Sequence, residues 1–179
     1  MTPPPGVVVS GAGRYDASVD LFAEVVALTA ALEAATIDYA LCGGVALAIH
    51  GAPRATKDID LLARKEDLPR LRQVVQACRF TIEGLPMTFS ASGVSIHRFT
   101  KIEPDGRFLM LDVLLAEGAL EAVWQTRARV AFAAADTPER SLWVVSRSGL
   151  ITLKLAAGRA QDLVDIQRLQ EVSRGEDDA

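Results

Sequence analysis

Hydrophobic residues fall into two rhythms along the chain. Within Ala17 to Ala35, Leu21, Val25, Leu28 and Leu32 recur at steps of three and four, which marks the buried face of a helix, with Asp20 and Glu24 off the stripe. The same spacing from Leu68 to Cys78 predicts a second helix with Leu68, Leu71, Val74 and Val75 inward, after a polar hinge at Arg64-Lys65-Glu66-Asp67. Short apolar runs predict strands instead. Tyr39–Cys42 ends at Gly43-Gly44, where a tight turn leads into a brief helix over Val45–Ile49 that Gly51 and Pro53 stop. Val94–Ile102 and Phe108–Leu115 flank Pro104-Asp105-Gly106, whose turn chemistry predicts a β-hairpin. Thr81-Ile82 and Met87–Phe89 read as a minor strand or loop, Leu120–Gln125 as a short helix, and Arg129–Ala133 and Leu142–Val145 as strands around the Asp136-Thr-Pro138 loop. Ser146 or Ser148 can cap a helix over Gly149–Ala157; Gly158 interrupts it, and Ala160–Val172 continues as another.

Strands mixed with helices place the chain in the α/β (α+β) class. Residues 1–14 hold three of the eight prolines and three of the thirteen glycines and are expected to be a disordered tail, although Val7-Val8-Val9 can pack. Residues 15–145 form the expected core, 146–173 a small C-terminal helical lobe packed on it, and 174–179 a frayed end.

Composition narrows the function classes. With 179 residues, half of them hydrophobic, a single domain with a helical appendage can bury a sizeable core. The net charge of −4 disfavours a general polyanion binder but leaves room for a local basic patch. Cys42 and Cys78 lack paired spacing and suit reduced thiols, and two histidines without cysteine partners make a zinc site a poor fit. No apolar run approaches the roughly 20 residues that span a bilayer, and Met1–Gly6 lacks the basic start of a signal peptide, so a cytoplasmic protein with no membrane partner is expected.

The chemistry-bearing residues cluster between Cys42 and Leu62. A Gly-Gly turn leaves N–H groups free and admits a ligand close to the backbone, so Gly43 and Gly44 can cradle a phosphate. Asp58-Ile59-Asp60 puts two carboxylates on one face of a strand. At roughly 5 Å and an effective dielectric near 20 they repel by about 3 kcal/mol, a repulsion that a fold tolerates when a hard cation such as Mg²⁺ sits between them or when the site is well solvated. Asp112 sits inside the apolar run Leu109–Leu115 and needs a partner: either a neighbouring arginine or a shared metal ion. Arg54 and Lys57 lie where a basic side chain can meet a phosphate, or else are solvated loop charges, and Thr56 turns the chain into the strand. Lys154, Gly158, Asp162 and Asp165 would align on one face of a helix running through Gly158, read either as a solvated polar stripe or as part of a site. His50 is expected to interact with the last carbonyls of its short helix, and Trp124 and Trp143 to pack rather than to stack on bases.

Gly43-Gly44, thirteen further residues, then Asp58-x-Asp60 with Arg54-x-Thr56 just before the acids resembles the nucleotidyltransferase superfamily that includes DNA polymerase beta. Leu153-Lys-Leu-Ala-Ala-Gly-Arg-Ala-Gln-Asp162-Leu-Val-Asp165 is similar to a segment of the AbiEii-like nucleotidyltransferases, many of them toxins of type IV toxin–antitoxin pairs. Val45 stands where that family carries a hydroxyl residue. The resemblance implies a nucleotidyltransferase fold, a mixed β-sheet flanked by helices, that moves a nucleoside monophosphate from a nucleoside triphosphate to an acceptor hydroxyl. It implies Asp58, Asp60 and Asp112 as catalytic, metal-binding carboxylates for two Mg²⁺ ions, with Asp112 helping to activate the hydroxyl. Gly43, Gly44, Arg54, Lys57, Lys154 and Arg159 become phosphate-binding residues, with Thr56 and Asp162 supporting them. A tRNA or another macromolecule is the implied acceptor and a cognate antitoxin the implied partner. Two alternatives stay open: an antibiotic-type enzyme acting on a small molecule, and a non-catalytic partner or antitoxin-like scaffold with the same fold.

Overall fold

A computed structural model describes residues 21–89, 93–133 and 139–177. The expected N-terminal tail, the start of the first helix before Leu21 and the Asp136–Pro138 loop lie outside these residues. Six helices and eight strands follow in the order α1 (Leu21–Ala34), β1 (Tyr39–Cys42), α2 (Gly43–Ile49), β2 (Asp58–Ala63), α3 (Leu68–Ala77), β3 (Ile82–Glu83), β4 (Met87–Phe89), β5 (Val94–Ile102), β6 (Phe108–Leu115), α4 (Ala119–Gln125), β7 (Ala128–Phe132), β8 (Arg140–Val144), α5 (Arg147–Ala157) and α6 (Ala160–Asp177).

The strands form one mixed sheet in the order β3-β5-β6-β2-β1-β8-β7, with β4 also paired to β5. β2 runs parallel to β6 and β1 parallel to β8, while the remaining pairs are antiparallel. The center of the sheet is therefore β6-β2-β1, the strands that carry or adjoin the three acids. Leu111 and Val113 of β6, Ile59 and Leu61 of β2, and Leu41 of β1 are fully buried there. Val25, Leu28 and Leu32 of α1 and Leu71 and Val75 of α3 join them in one core, so the three-and-four spacing of both helices marked the buried face correctly.

Local chemistry sets the element ends. The Ser146 hydroxyl accepts the Gly149 N–H at 3.0 Å, so α5 begins at Arg147, before the expected Gly149. Gly158 ends it in the left-handed region at φ 64°, which an L side chain adopts at a cost of about 1–2 kcal/mol. The last helix continues to Asp177, so the stretch expected to fray is helical through that residue. Among the described residues no helix is long and apolar enough to cross a membrane.

Candidate active site

The turn between β1 and α2 is shaped by what lies against it. Gly43 has φ +60°, and a methyl group there would fall inside the Asp60 carboxylate; a Cβ on Gly44 would stand 2.5 Å from Thr56 Oγ1. Both glycines are thus required by close approach to the strand bearing the acids. Cys42 is paired with Asp60 across the antiparallel β1–β2 ladder, and the Gly44 N–H donates to the Asp60 carboxylate. Thr56 adds a long contact of 3.4 Å from its hydroxyl to the Asp58 carbonyl as the chain enters β2.

The three aspartates occupy neighbouring rungs. Asp60 lies opposite Asp112 in the parallel β2–β6 pair, and Asp58 lies opposite Met110, two residues back along β6 and on the same face. Burial first, then the charges of Asp112 and Asp58, push the Asp60 carboxyl up to about 6, against the Gly44 N–H and the more distant Arg159 charge. Burial and Asp112 also raise Asp58, opposed by Arg98, Arg54 and Lys57. Asp58 Oδ1 is buried with no hydrogen-bond partner among the described residues. Asp112 does have a partner: Arg98, its neighbour across the β5–β6 hairpin, donates from Nε to Oδ1 and from Nη2 to Oδ2, each at 2.7 Å.

An orphaned carboxylate oxygen and a carboxyl raised by two neighbouring anions are features that a hard dication would satisfy, so the donor set at Asp58 and Asp60 fits Mg²⁺. With both Asp112 oxygens turned to Arg98, however, no three acidic, histidine or cysteine side chains among the described residues are gathered closely enough to enclose an ion.

The opposite wall comes from the C-terminal helices. Gly158 interrupts the helix as expected, and because the chain turns there Lys154 of α5 meets Asp162 and Asp165 of α6 across the corner and not along one continuous face. Nor is this a solvated stripe: Lys154, Asp162 and Asp165 are 4%, 1% and 0% exposed. Lys154 Nζ donates to Asp165 at 2.5 Å and to Asp162 at 3.4 Å, and Gln161 also donates to Asp165 at 3.1 Å. Arg54, from the loop before β2, donates to both Asp165 oxygens at 3.0 Å, and Arg159 closes the other end on Asp162 at 2.7 Å. Burial acts to raise the two acids, but hydrogen bonds from Arg159 to Asp162, and from Lys154, Gln161 and Arg54 to Asp165, hold both below the usual carboxylate range. Lys57 stands exposed at the rim.

These walls enclose a cleft of about 1090 Å³ into which all three catalytic-candidate aspartates and all six candidate phosphate-binding residues open. Among the described lining residues, six are cationic (Arg54, Lys57, Arg98, Arg107, Lys154, Arg159) and three are carboxylates (Asp58, Asp60, Asp112). Arg98 and Gln161 were missing from the sequence-based set. Arg98 had a signal available: it and Asp112 lie equally far on either side of Asp105, the center of the hairpin turn, so the register could have been counted. Gln161 had none.

The His50 backbone N–H donates to the Ala46 carbonyl of its own helix at 2.9 Å, while its ring reaches across to another element. Its Nε2 makes a 2.8 Å hydrogen bond with the Val145 carbonyl at the end of β8, because the long side chain reaches the neighbouring strand end. Trp124 is buried at 1% exposure with Arg127 stacked 4.0 Å over its ring, in keeping with a packing role. Cys42 and Cys78 are both free thiols.

Comparison with known proteins bears on the family and the fold. The family model described as "Nucleotidyl transferase AbiEii toxin, Type IV TA system" matches residues 26–179. No curated protein matches the chain. Among solved structures, a protein proposed to be a nucleotidyltransferase from Thermotoga maritima is similar at TM-score 0.57 and 12% identity, over 84% of this chain and 92% of that one. An antigenic nucleotidyltransferase-like protein from Paracoccidioides brasiliensis reaches 0.51 at 19% identity, over 82% and 74%. The antibiotic-resistance factor ANT(2'')-Ia, in its complex with adenylyl-2''-tobramycin, reaches 0.53 at 16% identity, over 87% and 94%. At these identities the likeness is one of fold.

Proposed function

The chain belongs to the AbiEii nucleotidyltransferase family of type IV toxin–antitoxin systems, and we propose that it transfers a nucleoside monophosphate from a nucleoside triphosphate to a hydroxyl of an RNA, with tRNA as the leading candidate. The observation that carries this reading is the meeting, in one cleft, of Asp60 and Asp112 on one rung with Asp58 two residues along the same face, a Gly-Gly turn fitted against Asp60, and a facing wall that carries Arg54, Lys154 and Arg159.

Asp58 and Asp60 would hold Mg²⁺, with Asp112 completing the set once its oxygens are free. The ions supply charge neutralisation at the α-phosphate and at the departing pyrophosphate. Lys57 and Arg159 at the rim draw the triphosphate in, and Lys154 and Arg54, already fixed by Asp165, keep the wall positive without moving during the reaction. Gly43 and Gly44 let the nucleotide approach the β1 end of the cleft closely.

The acceptor is argued from charge. Asp162 and Asp165 offset Arg54, Lys154 and Arg159, Asp112 offsets Arg98 and Asp105 offsets Arg107, which leaves Lys57, among the described lining residues, as the exposed cation at the mouth, suited to a phosphate-bearing acceptor. The cognate antitoxin would then be the partner that blocks access to this cleft.

Incubation with each α-labelled nucleoside triphosphate, Mg²⁺ and either total RNA, protein extract or aminoglycosides tests the proposal. Label is expected on RNA, and lost with Asp58→Asn. Label on an aminoglycoside would replace the acceptor assignment with the antibiotic-type one, and label on nothing would favour a non-catalytic scaffold.

A further inference from the structure

The cations lining the cleft differ in what they hold. Arg54, Lys154 and Arg159 bond acids of the C-terminal helices, whereas Arg98 bonds one of the three aspartates of the catalytic face. We propose that Arg98 is a built-in counter-ion, which holds Asp112 in the metal-free protein and must be displaced from it before a divalent cation can use that carboxylate. The inference rests on the reading of Asp112 as a metal-binding residue.

Three features support an exchange rather than a permanent strut. A guanidinium fork takes both carboxylate oxygens at 2.7 Å and so covers the edge by which Asp112 would chelate an ion shared with Asp60, its neighbour on the same rung. The Arg98 side chain is 39% exposed while Asp112 is 10% exposed, so the arginine can swing into the cleft and the aspartate cannot follow. The charges also balance with Arg98 kept in the cleft after it leaves Asp112: the three carboxylates and Arg98 sum to a formal −2, which one dication cancels. The released guanidinium then faces the cleft with a donor geometry suited to phosphate, so that loading the ion would prepare a contact for the arriving triphosphate.

Titration of Mn²⁺ alone into nucleotide-free protein, with free ion followed by electron paramagnetic resonance, tests this directly. Arg98→Gln should bind the first ion roughly tenfold tighter or more than the native chain, and Arg98→Lys, which keeps the charge without the fork, should fall between them. If Arg98→Gln fails to fold, the Arg98→Lys affinity carries the test. In Arg98→Gln/Asp112→Asn the gain should vanish, because the contested carboxylate is gone. Equal or weaker binding by Arg98→Gln would overturn the inference, as would a gain that persists in the double variant, which would mean a general loss of positive charge. Absence of Mn²⁺ binding in every protein would instead overturn the metal-site reading and this inference with it.

Discussion

Replacing Asp60 with Asn should stabilise the protein while destroying its proposed activity. The folded carboxyl titrates near 6 against 3.8 when unperturbed, a difference worth about 3 kcal/mol at 1.36 kcal/mol per unit. Between these two values the folded chain holds a proton that the unfolded chain has released, so stability falls as pH rises through the window. The penalty is absent below about 3.8 and complete above about 6. Asp58 is shifted in the same direction and adds to the slope. Asn cannot ionise, yet its amide oxygen can still accept the Gly44 N–H. At pH 7.5 in chelator, Asp60→Asn should therefore gain about 2–3 kcal/mol, or roughly 4–10 °C in Tm for a chain of this size. At pH 5 the gain should shrink to about half, since most of the native carboxyl is by then protonated only in the folded state. Urea unfolding of both proteins at the two pH values provides the measurement. A loss of stability at pH 7.5, or a gain independent of pH, would show that Asp60 is not the crowded, desolvated acid described above. Added Mg²⁺ should reverse the ranking, raising the midpoint of the native chain and not that of the variant.

Asp165→Asn removes the main partner of buried Lys154, which keeps only the longer contact to Asp162, and should cost about 3 kcal/mol, read as a lower denaturant midpoint. Gly43→Ala should lose at least about 1–2 kcal/mol from its positive φ alone, and transfer activity should fall further than stability, because the methyl displaces the Asp60 carboxylate. Lys57→Ala should raise KM for the nucleoside triphosphate several-fold with no change in Tm, since Lys57 is exposed and makes no ion pair among the described residues.

Features governed by neighbours in sequence could be read before the fold was known. Alternation placed Asp58 and Asp60 on one face, turn chemistry placed the β5–β6 hairpin to the residue, and an acid inside an apolar run marked Asp112. What escaped was partnership across space. Asp112 was expected to need either an arginine or an ion, and the pattern of Val94–Ile102 did not single out Arg98, because periodicity reports which face a residue takes and not whom it meets there. Arg54 and Asp165 are 111 residues apart, and no local spacing could join them. The corner at Gly158 removed the solvated-stripe alternative for Lys154 and its acids, since one left-handed residue folds them into a buried knot.

That knot bears on how substrates come and go. Swinging α5 and α6 together away from the sheet would leave Lys154, Asp162, Asp165 and Arg159 bonded to one another and would break, of the knot's bonds, the Arg54–Asp165 pair. The two helices are thus pinned to each other as one wall, and Arg54 is the link that ties the knot to the loop before β2. Lys57 and Phe108 line the cleft, and any displacement of the helical wall would carry Lys154 and Arg159 with it as a unit.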